Sequence, residues 1–117
     1  QAVRALWVLG NEYLQEAAPW TAFKTDVERA AVITRTALNL AALYGRISAP
    51  FIPFAAEAIC KAFGEPWPPA WPGAEIAAEL SRLEPGRPVS APDVLFPKID
   101  DEQIAEWTER FGGAEAA

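Results

Sequence analysis

The chain has no histidine and a single cysteine, Cys60, among its 117 residues. Without histidine there is no imidazole to activate a serine or a cysteine, and with one thiol nearly every zinc arrangement is out of reach. No self-contained enzyme of the common kinds fits these residues. A lone cysteine cannot close an internal disulfide, so a reducing compartment, the cytoplasm, is expected. No apolar run approaches the roughly 20 residues of a membrane helix; the most apolar stretch, Ile47 to Cys60, is broken by Pro50, Pro53 and Glu57. A soluble protein without a membrane partner is expected. Proline is scarce at both ends, with only Pro19 in residues 1–49 and none in residues 98–117. Long helices therefore belong at the ends, and the proline-rich middle must be a short helix followed by extended chain.

Positive charge is also in short supply. Ten basic residues face 16 acidic ones, for a net charge of -6. Coating a nucleic acid draws its energy from lysine and arginine neutralising phosphates, and this balance argues against it. A local contact with a folded RNA stays open.

What the chain has in quantity is alanine, 24 residues, within a hydrophobic share of 51%. Alanine is the strongest helix former, so the expectation is an all-α fold in one domain over residues 1–112, with 113–117 as a frayed tail. Gln1 is not an initiator methionine, and no signal-peptide pattern follows it, so the expectation is a piece of a longer chain.

Val3, Leu6, Trp7, Gly10, Tyr13, Leu14 and Ala17 share one face of a first helix, which Pro19 ends. Thr25 and Glu28 have capping-box spacing and mark the start of a second long helix. Val27, Ala30, Ala31, Thr34, Leu38 and Ala41 form its apolar stripe, widened by Ile33, Ala37, Leu40 and Tyr44, with Arg35, Asn39 and Arg46 on the other side and Gly45 as terminator. A shorter helix is expected from Pro50 or Pro53 to Phe63, capped by Ser48, stopped by Gly64, with Ala56, Ile59, Cys60 and Phe63 inward. The segment from Glu65 to Gly73 must be turn or polyproline-like chain. Residues 74–83 suit two or three helical turns, closed by Pro85 and Gly86; Val94 to Ile99 reads as an extended segment across the bundle. A last helix opens at Asp100 or Asp101 and runs through Ile104, Trp107 and Phe111 to Gly112.

Candidates for chemistry are few. Asp100, Asp101 and Glu102 read as a helix start rather than a metal or acid-base site. Cys60 reads as core packing, and so do Trp7 and Trp107; Trp67 and Trp71 read as pins holding a loop to the bundle. Trp20 stands apart. It follows Pro19 at a corner between two helices, where an indole held rigidly can stack on an unpaired base; on residue type alone a packed corner tryptophan is the favoured reading. Lys24, Arg29 and Arg46 are candidates for local phosphate contacts against the plainer reading of solvated charge.

The string from Asn11 to Trp20, Asn11-Glu12-Tyr13-Leu14-Gln15-Glu16-Ala17-Ala18-Pro19-Trp20, has the pattern N-x-Y-x-x-x-x-A-P-W. It resembles the signature of the helical anticodon-binding domain of methionyl-tRNA synthetases. Leu95-Phe96-Pro97-Lys98-Ile99 and Leu83-Glu84-Pro85-Gly86 are similar to later segments of that domain, in the same order, so the resemblance spans about residues 1–107. The resemblance implies a helix bundle of the class I synthetase anticodon-binding type, with a proline-rich extended segment and a C-terminal helix. It implies tRNA as partner, through a CAU anticodon whose first base meets Trp20. Asn11, Tyr13 and Lys24 match or adjoin the pattern, and Asn11 and Lys24 join Trp20 as candidate RNA-binding residues. The family's other anticodon-reading asparagine and arginine belong to an earlier helix. The resemblance also implies a catalytic domain in the parent chain that uses ATP; no catalytic residue, metal or cofactor is assigned to these residues. Two rivals stay open: a protein-interaction module docking through Pro66 to Pro72, and the anticodon domain of another class I synthetase.

Overall fold

The computed structural model describes residues 1–113; Ala114 to Ala117, most of the expected tail, lie outside the described residues. Among the described residues there are six helices and no strand: α1 (Ala2–Ala17), α2 (Pro19–Thr25), α3 (Val27–Ser48), α4 (Pro53–Ala62), α5 (Ile76–Glu79) and α6 (Asp101–Phe111). The all-α expectation holds.

α3 is the central element, packed against α1, α2 and α4. Two glycines let its neighbours approach. A Cβ on Gly10 of α1 would collide with the ring of Tyr44, and one on Gly45 of α3 would lie 2.7 Å from Cγ2 of Ile59 on α4. Gly45 is thus a contact point inside α3, which runs on to Ser48, and not the expected terminator. Hydrogen bonds fix the α1–α3 register: Trp7 Nε1 donates to Ser48 Oγ at 3.0 Å, and Tyr44 Oη donates to the Leu6 carbonyl at 2.6 Å. Ser48 therefore does not cap α4, whose N-cap is Ile52. The inward face of α4 is as expected, with Ala56 and Cys60 fully buried and Phe63 buried; Gly64, at φ 67°, ends it. Burial, and then the carboxylate of Glu65, push the Cys60 thiol above its ordinary value, so it is a buried hydrophobe and not a nucleophile.

The caps of α2 and α3 differ from expectation. Pro19 does not merely end α1: it occupies the first position of α2. α3 is capped by Asp26, whose Oδ1 accepts the Arg29 N–H at 3.1 Å, in place of a Thr25–Glu28 box. The threonine belongs to the last turn of α2, where its backbone is already helical. At the other end of the chain, α6 has a full capping box between Asp100 and Gln103.

Residues 65–89 form a strap laid over α3 and α4, with one short helix, Ile76–Glu79, where two or three turns were expected. Polar side chains hold it. Asn39, on the side opposite the apolar stripe, is 1% exposed, and its Oδ1 accepts the Leu83 N–H at 2.8 Å. Arg46, expected outside, is 4% exposed, with Nε donating to the Ala70 carbonyl at 3.2 Å and Nη1 paired with Glu79. Arg35 donates to the carbonyls of Ser81 and Leu83, and Arg82 pairs with buried Glu65 at 2.9 Å. Irregular backbone needs partners for its N–H and C=O groups, and here α3 supplies them. The tryptophans do not: Trp71 is 66% exposed, which corrects its reading as a pin.

The segment after the strap follows α4, where the Ser90 N–H donates to the Ala62 carbonyl at 3.0 Å. α6 stands off. All its residues are exposed, Trp107 included, which corrects the expectation that Trp107 packs in the core. The Cα radius of gyration of 18.6 Å reflects this, against about 13 Å for a compact chain of this size.

Two tests follow from these contacts. Gly45→Val forces a branched side chain into the α3–α4 crossing and is expected to cost about 1–3 kcal/mol, read from the urea midpoint; an unchanged midpoint means that the helices part freely there. The Gly73 N–H, and then Arg46, hold the Glu79 carboxyl below its usual range. A depressed folded-state pKa stabilises fully above the unfolded glutamate value of about 4.3 and is lost as pH falls through the lower folded value. Urea midpoints between about pH 3 and 7 are expected to fall more steeply in acid for the native chain than for Glu79→Gln; parallel curves remove Glu79 from this role.

Candidate nucleic-acid interface

The corner at Ala18 decides where Trp20 points. Ala18 has φ 44° and ψ 67°, the only non-glycine residue with positive φ among those described. Left-handed backbone costs an L-residue about 1–2 kcal/mol, and two neighbours impose it. The Ala18 N–H closes α1 on the Leu14 carbonyl at 3.1 Å, while its own carbonyl accepts the N–H groups of Thr21 and Ala22, both at 3.0 Å, opening α2. Pro19 disfavours right-handed helical backbone at the residue before it, which works against α1 running straight into α2. The chain turns sharply, and Trp20 is carried on the first turn of a helix with a proline-fixed start.

Trp20 is 54% exposed, so the indole is not sealed in the bundle. It borders a groove of about 850 Å³ between α2–α3 on one side and the turn Leu83 to Arg87 on the other. The floor is apolar: Phe23, Val27, Val32 and Leu38 line it, and each is exposed. Arg35 and Arg87 stand at the groove as exposed cations, with Glu84 as its one carboxylate.

The other sequence candidates are arranged differently. Lys24 is exposed on the last turn of α2, one helical turn beyond Trp20. Arg29 is exposed in the first turn of α3. Asn11 is exposed on α1 and Tyr13 is half-buried there; neither lines the Trp20 groove. Arg46 is removed as a phosphate contact, because it is buried and holds Ala70 and Glu79. Asp100 serves as helix cap, as its place in the sequence implied. Sequence reading passed over Phe23, Arg35 and Arg87. Phe23 had a signal, its three-residue spacing from Trp20 on one short helix. Arg87 had none, since only the strap's path brings it to α3.

Among the described residues no helix is long and apolar enough to cross a membrane, and no group of three or more acidic or cysteine side chains is placed to hold a metal ion.

A family model described as the anticodon binding domain of methionyl tRNA ligase matches residues 1–116. Methionine--tRNA ligase of Caulobacter sp. strain K31 is 76% identical over 115 residues, covering 98% of this chain and 20% of that protein. The ligase of the same name from Caulobacter vibrioides strain NA1000 is 72% identical over 115 residues, with the same coverage, and that of Cereibacter sphaeroides strain ATCC 17025 is 54% identical over 112 residues, 95% of this chain and 19% of the relative. The chain thus spans about a fifth of the length of these relatives. No solved structure matches it. The left-handed corner, the tryptophan it presents and the match along nearly the whole chain agree: this chain belongs to the family of methionyl tRNA ligase anticodon-binding domains.

Proposed function

We propose that this domain reads the CAU anticodon of a tRNA by stacking Trp20 on its first base, within an ATP-dependent enzyme of the cytoplasm that joins methionine to that tRNA. The observation that carries the reading is the indole itself: half exposed, at a proline-fixed corner, next to an open groove. A base leaving the anticodon loop must lose its stacking on neighbouring bases, and a preset aromatic face returns it at little entropic cost. Such a contact contributes about 1–3 kcal/mol per base. Stacking is tolerant of base identity, so the choice of cytosine has to come from hydrogen bonds to the base edge. Lys24, one turn beyond, suits a neighbouring phosphate, and Asn11 on α1 is a second polar contact to the loop. ATP and methionine are handled by the catalytic domain of the parent chain.

In the full-length ligase, Trp20→Ala is expected to lower kcat/KM for tRNA aminoacylation about tenfold or more. ATP–pyrophosphate exchange with methionine, which needs no anticodon, is expected to stay at the native rate. Equal aminoacylation by the variant removes Trp20 from the role, and a parallel fall in exchange assigns it to folding instead.

A further inference from the structure

The groove beside Trp20 contains a second aromatic ring with no part in the reading above. Phe23 is 65% exposed, more than Trp20 itself, and it follows Trp20 by three residues on α2. Side chains so spaced lie on one side of a helix, about 5–6 Å apart at Cβ. Both rings line the same groove. An exposed pair of aromatics in register is the arrangement on which successive unstacked bases of a single strand are held.

Charge favours a nucleic acid here. The chain carries a net -6, yet the groove has two arginines, Arg35 and Arg87, against one carboxylate, Glu84. Backbone carbonyls fix both arginines: Arg35 donates to those of Ser81 and Leu83 in the strap at 3.5 and 3.4 Å, and Arg87 Nη2 donates to that of Gly64, after α4, at 3.2 Å. Both side chains stay exposed with donors to spare, since a guanidinium carries five N–H groups. The groove's volume, about 850 Å³, exceeds what one ring on Trp20 requires.

We propose that Phe23 is a second base-stacking residue, which holds in this groove the nucleotide next to the one on Trp20, with Arg35 and Arg87 facing its phosphate. The proposal deepens the reading of Trp20 and rests on it. Trp20 alone fixes one base; two rings in register also fix the direction in which the strand leaves the corner.

The experiment uses the full-length ligase and a methionine tRNA transcript. Phe23→Ala is expected to lower aminoacylation kcat/KM about fivefold or more, the lower end of the stacking range, with ATP–pyrophosphate exchange unchanged. Phe23→Tyr is expected to restore the native value and Phe23→Leu is not, because leucine supplies apolar bulk without a π-face. Trp71→Ala, which alters an exposed aromatic away from the groove, is expected to leave kcat/KM unchanged. A photoreactive p-benzoylphenylalanine at position 23 is expected to cross-link to the transcript, which holds the test open should Phe23→Ala fail to fold. Rescue by Phe23→Leu, or a cross-link to the enzyme's own chain in place of RNA, overturns the proposal and assigns the groove to protein packing. A loss confined to Trp20→Ala sinks the Phe23 role and leaves the Trp20 reading intact, whereas native kinetics in both variants sink both.

Discussion

Asn39 is the side chain on which the irregular half of the molecule is hung. Its amide spans two kinds of structure: Nδ2 bonds back to the Arg35 carbonyl within α3, at 2.9 Å, and Oδ1 takes the Leu83 N–H of the strap, at 2.8 Å. At 1% exposure neither group could fall back on water, and a buried donor left without an acceptor costs about 1–3 kcal/mol. The strap cannot replace this bond with apolar burial, because between Gly64 and Val89 only Leu83 among its large apolar side chains is buried. Its position is therefore set by polar contacts from α3, one turn and two turns apart: Arg35, Asn39 and Arg46. Since Leu83 begins the turn that faces α2 and α3 across the groove, the same amide sets the distance between the groove's walls.

Trp20 depends on a second constraint of a different kind. The backbone sets the direction in which its Cα–Cβ bond leaves the corner. Ala18 is held left-handed by sharing its two hydrogen-bonding groups between the end of α1 and the start of α2, and Pro19 disfavours the straight alternative. A ring carried on a fixed corner can stay half exposed and still present one face, as a preformed stacking site requires.

Helices α1, α3, α4 and α6 were legible in the sequence from apolar periodicity, with Pro19 after α1, Gly64 after α4 and Asp100 before α6 as the stops and starts that held. The polar side of α3 was misread for a physical reason. Periodicity assigns charged and amide residues to solvent, but Asn39 and Arg46 are buried against the backbone of a segment far along the chain, and no local pattern encodes that path. Gly45 was misread likewise: glycine as terminator and glycine as contact point look alike until the partner, Ile59, is placed. The Thr25–Glu28 spacing was a genuine capping pattern that lost to Asp26 one residue later, once α2 had taken Thr25 into its last turn. At the site, the A-P-W corner gave Trp20 its place, whereas the groove, which needs the strap for its second wall, could not be read at all.

An acidic domain reading a polyanion is a contradiction only where affinity comes from phosphates. Phosphate contacts add binding to every RNA alike and weaken together with salt, so they raise the background against which a cognate anticodon must be told apart. Stacking in a preset groove acts only on bases that have left the helix, and it is short-ranged. With a net charge of -6 over the whole chain and two arginines against one carboxylate at one apolar groove, long-range attraction is kept low while the groove itself keeps a local surplus of positive charge. The charge that argues against a coat on nucleic acid is what suits a reader of a few exposed bases, because there the discrimination lies in contact and not in approach.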